Sequence, residues 1–223
     1  MFRDRIALLL GKAFACVFLL TTPYGKLAAQ DFWELVPTHT EASLRGLAPI
    51  DKATAWTCGS QATLMRTVDA GKTWSRCVIE GLDSKAELRS IHAWSADEVL
   101  VATAGAPCRI YYSKDTGKTW TIVYENPHPD AFIDALRFWD DQKGFAFGDP
   151  IDGKLLTLVS DDRGQTWRTS AKDGFPLQEG EAGFAASNSS SLVFGSDSVW
   201  IGLGGANTAA SVLISNDAGA TWS

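Results

Sequence analysis

One eight-residue box recurs four times along this chain, and it constrains the fold more than any other feature. The copies read Thr67-Val-Asp69-Ala-Gly71-Lys-Thr73-Trp74, Ser113-Lys-Asp115-Thr-Gly117-Lys-Thr119-Trp120, Ser160-Asp-Asp162-Arg-Gly164-Gln-Thr166-Trp167 and Ser215-Asn-Asp217-Ala-Gly219-Ala-Thr221-Trp222. The Trp-to-Trp spacings are 46, 47 and 55 residues. Five matched positions at near-constant spacing define an internal structural repeat.

The box has a mechanical reading. An Asp carboxylate accepts hydrogen bonds from backbone N–H groups just after it and holds a tight turn. A Gly two residues on supplies a positive φ without a Cβ clash. The leading Ser or Thr hydroxyl satisfies a further turn group. Thr-Trp then starts a new strand, and the indole lies against the hairpin. Each box offers one carboxylate at a fixed position, far from the 6–8 oxygens that calcium takes, so the boxes are read as structural turns.

A period near 46 residues fits one four-stranded propeller blade. The second unit shows it best, with strands expected at Arg89–Trp94, Glu98–Ala104, Arg109–Ser113 and Thr119–Tyr124. The same parsing places blades at about 43–80, 86–125, 131–170 and 182–222 within a 30–223 propeller domain. The stretch 169–181 is expected to be a surface loop. Residues 31–36 (Phe32-Trp33-Glu34-Leu35-Val36) resemble an outer strand such as Trp120–Val123, which would close the last blade of a ring. The fold class expected is therefore all-β, a β-propeller of four-stranded antiparallel blades, with at least four blades present in an incomplete six- or seven-bladed ring.

The N-terminus has a signal-peptide layout. Arg3 and Arg5 precede apolar runs at 6–10 and 13–20, and Leu27-Ala28-Ala29 offers a cleavage site. Lys12 interrupts the apolar segment, and neither run reaches the ~20 residues a spanning helix needs. The expectation is export of a mature chain from residue 30, to the periplasm or beyond, with no stable membrane insertion. Removing Arg3, Arg5, Lys12, Lys26 and Asp4 from 20 basic and 26 acidic residues leaves 16 and 25, a net charge of −9. Such a surface argues against nucleic acid as a partner.

Three cysteines remain after residue 29, so one disulfide at most can form within the chain. Cys58 and Cys108 fall near corresponding hairpins of adjacent blades and are the expected pair if one forms. Cys77 sits on an outer strand. No Cys/His cluster has metal-ligand spacing, so neither a metal nor a cofactor is expected. His92 is read as a hydrogen-bonded structural residue on an inner strand.

The chain resembles the Asp-box, or bacterial neuraminidase repeat, superfamily. Its units look like those of photosystem II stability and assembly factor-like propellers. Besides the boxes, the Gly-rich second strands Trp56-Thr-Cys-Gly59, Gly144-Phe-Ala-Phe-Gly148 and Trp200-Ile-Gly-Leu-Gly204 carry the likeness, which covers residues 31–223. The boxes are specific for fold and weakly so for function, because sialidases, sortilin-like receptors and assembly factors all carry them. A sialidase implies an Arg-Ile-Pro motif, an arginine triad and a Tyr nucleophile. Here Arg109-Ile110 is followed by Tyr111, and Tyr111, Tyr112 and Tyr124 fall on third or outer strands. Asp149 and Glu181 are the candidate carboxylate pair for other glycosidase chemistry.

A second repeated feature points to binding. Arg45, Arg89 and Arg137 each follow a Leu and precede their box Asp by 24, 26 and 25 residues. They are expected to share one slot at the start of successive inner strands and to line the axial mouth. Guanidinium forks there would suit an acidic protein segment or a small anionic ligand. The competing expectation is that each pairs with Asp51, Asp97, Asp134 or Asp140. The sequence thus favours a non-enzymatic binding or scaffolding propeller, with a carbohydrate-active enzyme as the alternative.

Overall fold

The structure, a computed structural model, describes residues 34–170, 174–183, 190–205 and 210–223. The expected signal peptide, 1–29, and most of the expected closing strand lie outside these residues. Val36–Ser223 form one compact unit, and of the other unit, Met1–Leu35, only the last two residues are described.

The described residues contain strands and no α-helix, arranged as four antiparallel sheets, the blades of a propeller. Blade 1 comprises β1 (Leu44–Pro49), β2 (Ala55–Gly59), β3 (Thr63–Thr67) and β4 (Ser75–Arg76). Blade 2 comprises β5 (Glu87–Ala93), β6 (Val99–Ala104), β7 (Cys108–Ser113) and β8 (Thr121–Asn126). Blade 3 comprises β9 (Ala135–Phe138), β10 (Gly144–Ile151), β11 (Lys154–Ser160) and β12 (Arg168–Thr169). Blade 4 comprises β14 (Ser191–Phe194), β15 (Ser198–Leu203) and β16 (Ser211–Ser215). Between the last two blades, β13 (Phe175–Pro176) pairs with β11, so part of the expected surface loop extends a sheet instead.

The period-2 alternation of the strands sends successive side chains to opposite faces, and each face meets a different neighbour. On β6, Val99 and Val101 pack with Trp56, Cys58 and Leu64 of blade 1. Leu100 and Ala102 on the opposite face pack with Leu136, Ala146 and Leu158 of blade 3. On β10, Phe145 and Phe147 turn to Val199, Ile201 and Leu213 of blade 4. The core is thus three apolar layers between successive blades. The first strands of the four blades, β1, β5, β9 and β14, contact one another in that order and form the inner wall.

The inner hairpins fix a common register. Ile50, Trp94 and Trp139 each donate their N–H to the carbonyl four residues on, at Thr54, Glu98 and Lys143. Asp51, Ser95 and Asp140 cap these turns with side-chain oxygens. Counting back from these turns assigns equivalent positions in all three blades.

The boxes form the turns expected of them. In blade 2, Asp115 Oδ1 accepts the Thr119 N–H at 2.9 Å and the Ser113 hydroxyl at 2.9 Å, while Oδ2 accepts the Thr119 hydroxyl at 2.7 Å. The Ser113 hydroxyl oxygen in turn accepts the Gly117 N–H at 3.0 Å. Asp69, Asp162 and Asp217 hold their Thr partners in the same way, with Gly71, Gly164 and Gly219 in the Gly117 role. Both central residues are left-handed: Ala70 and Gly71, Thr116 and Gly117, Arg163 and Gly164, Ala218 and Gly219. The indole N–H groups of Trp120 and Trp167 return to the Gly117 and Gly164 carbonyls, whereas those of Trp74 and Trp222 are buried without a partner.

The cysteine expectation is overturned. Cys58, Cys77 and Cys108 are all free and buried. Cys58 faces blade 2 from blade 1, and Cys108 faces blade 3 from blade 2, so the sheet of blade 2 separates them. Burial pushes both thiols up to about 12, leaving them unreactive.

Candidate functional site: the mouth of the inner strands

Arg45 and Arg89 occupy the same position on neighbouring inner strands. Each stands six residues before its hairpin cap, Asp51 or Ser95, and each falls at a break in strand register, between Leu44 and Gly46 or between Leu88 and Ser90. These are β-bulges, which re-aim a side chain at the end of a strand. The strands approach closely here: a Cβ on Gly46 would lie 3.1 Å from the Arg89 carbonyl oxygen.

Arg137 is not the third member of this slot. It stands three residues before its cap, Asp140, and pairs in register with Phe145, as His92 pairs with Leu100. Its side chain runs between blades 3 and 4, where Nε donates to the Ser191 carbonyl at 3.0 Å. Burial lowers its pKa from the usual guanidinium value. The residue in the Arg45/Arg89 slot of blade 3 is Asp134, six before Asp140. In the fourth blade the inner strand is Ser191–Phe194.

The mouth therefore carries two arginines followed by an acid. Arg89 is three-quarters covered; its guanidinium lies 5.5 Å from the Phe132 ring centre and 3.8 Å from the Glu87 carboxylate, and its charge also acts on Asp134 and Asp149. Its Nε is buried without a partner. Arg45 is exposed and makes no ion pair among the described residues. It lines a recess of about 210 Å³ with Thr38, Leu47 and Trp74. Asp51 and Asp140, considered above as neutralising partners, are committed to their turns.

Asp134 is fully buried, and its Oδ2 has no hydrogen-bond partner. Burial first, and then the neighbouring Asp149 charge, push its pKa up to about 8, against a smaller opposing effect of Arg89. Burial also raises Asp149, which accepts a hydrogen bond from the Gly183 backbone. Asp134 is thus mostly a neutral acid at pH 7, with the nearby Asp149 carboxyl group helping to hold its proton on. Gly183 seals it, since a Cβ there would sit 2.1 Å from Oδ2. Glu181, the expected partner of Asp149, is instead bound by the Ser211 hydroxyl at 2.5 Å and the Gln178 N–H at 3.1 Å.

His92 lies between the Trp94 and Phe138 rings, with centroids 4.6 and 4.4 Å away. Burial, then Arg137 and Arg163, push its pKa down to about 4, so it is a neutral packing residue. No group of three or more His, Cys, Asp or Glu side chains with metal-holding geometry exists among the described residues.

Fold, boxes and mouth together define a repeat propeller of the Asp-box type. Comparison with known proteins gives the particular likeness. Residues 26–131 match the family described as photosynthesis system II assembly factor YCF48, and residues 158–169 match the BNR/Asp-box repeat. The chain is a BNR-repeat propeller resembling that assembly factor. Over 57 residues it is 39% identical to the photosystem II assembly protein Ycf48 of Thermosynechococcus vestitus, a stretch that spans 25% of this chain and 16% of that protein. Among solved structures it is similar to YCF48 bound to D1 peptide (TM-score 0.51, 16% identity, 85% of this chain and 84% of that one). It is equally similar to YCF48 from Cyanidioschyzon merolae (0.51, 15%, 85% and 87%). A GH74 xyloglucanase from Xanthomonas campestris gives 0.51 at 14% identity, over 81% of this chain and 30% of that one. These structural likenesses speak to fold, which assembly factors and glycosidases share.

Proposed function

We propose that this chain is a non-enzymatic binding propeller of an extracytoplasmic compartment, assembly- or stability-factor-like, whose mouth captures an acidic protein segment. The observation that carries the reading is the pair Arg45 and Arg89. Two guanidinium groups share one bulged slot on adjacent strands; Arg45 makes no ion pair among the described residues, and the Glu87 carboxylate meets Arg89 only at 3.8 Å. Like charges held side by side favour an anion between them, and a guanidinium fork binds carboxylates with two parallel hydrogen bonds. The likeness to a propeller solved with a bound D1 peptide supports a peptide as the occupant. Export rests on the layout of residues 1–29.

The alternative, a carbohydrate-active enzyme, would draw on Asp134 and Asp149. Burial raises both groups, Asp134 to about 8, and a raised carboxyl is the general acid that such hydrolysis uses. Burial of Asp134 under Gly183 leaves no approach for a glycosidic oxygen, and this favours the binding reading. The test is capture of a labelled hexaglutamate peptide by the full chain, compared with Arg89→Ala. Binding that weakens in the variant and with added salt supports the proposal. Equal capture by both proteins, or hydrolysis of a glycan panel that stops in Asp149→Asn, contradicts it.

A further inference from the structure

Asp149 stands at a break in strand register, as Arg45 and Arg89 do. The break falls between Gly148 and Pro150, where β10 pairs with β11. It lies at the mouth end of blade 3: the Asp134 N–H donates to the Phe147 carbonyl at 2.9 Å, and Asp149 follows two residues on. A bulge re-aims the side chain it carries. The mouth therefore receives a carboxylate one blade on from the Arg89 guanidinium.

Phe132 lies between the opposite charges and is partly exposed. Its ring centre is 5.5 Å from the Arg89 guanidinium. Its carbonyl oxygen sits against the residue before Asp149, since a Cβ on Gly148 would be 1.6 Å from it. The Arg89 charge acts on Asp149, yet the two form no ion pair among the described residues. Arg89 Nε is buried with no hydrogen-bond partner. Asp149 is half-buried, and the Gly183 backbone holds its carboxylate in place. A guanidinium and a carboxylate are thus held apart beside one aromatic ring.

We infer that Arg89, Phe132 and Asp149 read a protein segment of mixed charge, with an acidic residue on Arg89 and a basic residue on Asp149. This rests on the mouth binding a peptide, as proposed above, and names the charge pattern of that peptide. An all-acidic segment that reaches past Arg89 meets Asp149 and is repelled. A lysine ammonium at the same place meets a carboxylate already partly withdrawn from water, where an opposite charge counts for more than at an open surface. The Phe132 ring offers apolar contact to the aliphatic stem of that lysine. Asp149 is then the residue that sets specificity, and Arg89 the one that both acidic and mixed segments need.

Fluorescence anisotropy with labelled hexapeptides and the full chain at low salt tests this. Two probes carry a glutamate pair at one end and a lysine pair at the other, joined by glycines, one in each order. Their counterparts have glutamine in place of lysine, and hexaglutamate is the all-acidic probe. In one of the two orders, the lysine peptide should bind about 10-fold more tightly than its glutamine counterpart. Asp149→Asn, with its fold checked by thermal melting, should abolish that gain and bind hexaglutamate more tightly than wild type does. The lysine-to-glutamine comparison uses the wild-type chain and decides the matter even where the variant does not fold. Capture of hexaglutamate with no gain from lysine in either order, or a gain that persists in folded Asp149→Asn, would overturn this inference and leave the reading of the mouth standing. Capture of none of the peptides would overturn both.

Discussion

Arg163 grips Glu98 across the interface of blades 2 and 3. Its Nε and Nη2 each lie 2.9 Å from a carboxylate oxygen, and its guanidinium carbon is 4.7 Å from the centre of the Trp94 ring. Tyr112 donates its hydroxyl to the same carboxylate. A two-point ion pair that also stacks on an aromatic ring is worth more than an isolated surface pair. Arg163→Ala should lower unfolding stability by about 1–3 kcal/mol, read from chemical denaturation. Arg163→Lys should recover only part of this, since an ammonium cannot form the fork.

The box carboxylates make stability fall in acid. Hydrogen bonds from the Thr119 hydroxyl and N–H hold Asp115 down at about 2, and Asp69 and Asp217 are lowered for the same reasons. A depressed folded pKa stabilises above the unfolded value of about 3.9, and that stability is lost as pH falls toward the folded value. Melting temperature should therefore drop between about pH 4 and pH 2. Asp162→Ala should remove about 1–3 kcal/mol at neutral pH without altering peptide capture. A capture defect at unchanged melting temperature would contradict the structural role of the boxes.

Asp134 works in the opposite sense. Its folded pKa, raised to about 8 by burial and then by Asp149, means the native state keeps a proton that the unfolded chain releases above about pH 3.9. Its contribution to stability therefore declines as pH rises through that window and levels off above the folded value. Asp134→Asn keeps the shape and cannot ionise. It should flatten the decline in melting temperature between pH 6 and pH 8; an unchanged slope would mean Asp134 is already ionised at neutral pH.

Box glycines do two jobs, and alanine substitution separates them. Gly164 has φ +77°, and a Cβ there would come 2.4 Å from Leu100 Cδ1 of the preceding blade. Gly153 has φ +73°, with nothing within 4 Å of a Cβ. Gly153→Ala should cost about 1 kcal/mol, from backbone strain alone. Gly164→Ala should cost more, because packing between blades must also give way. Equal losses in thermal melts would remove the packing role.

The blades were legible because the boxes combine a side-chain cap, a left-handed turn and a strand start within eight residues. The mouth was legible only in part. Counting back from the box Asp gave 24, 26 and 25 residues and grouped Arg137 with Arg45 and Arg89. That count crosses loops and bulges of unequal length. The inner hairpin is the shorter ruler, and counting back from Asp51, Ser95 and Asp140 gives six, six and three residues. By that measure Asp134, not Arg137, joins the slot. The raised pKa of Asp134 depends on burial that includes Gly183 closing over it, a contact that no local pattern carries.

The most direct test of the account is peptide binding by the Arg45→Ala/Arg89→Ala double variant, with Arg137→Ala as the control. Fluorescence anisotropy of labelled hexaglutamate, titrated with each protein at low and at high salt, gives the affinities. Charge-assisted hydrogen bonds are worth about 1.5–3 kcal/mol each, so the double variant should bind at least ~10-fold more weakly. Wild-type binding should fall with salt. Arg137→Ala, whose side chain holds the Ser191 carbonyl between blades, should bind as wild type does. Affinity that is unchanged in the double variant, or lost equally in Arg137→Ala at equal stability, would contradict the assignment of the mouth as the binding site.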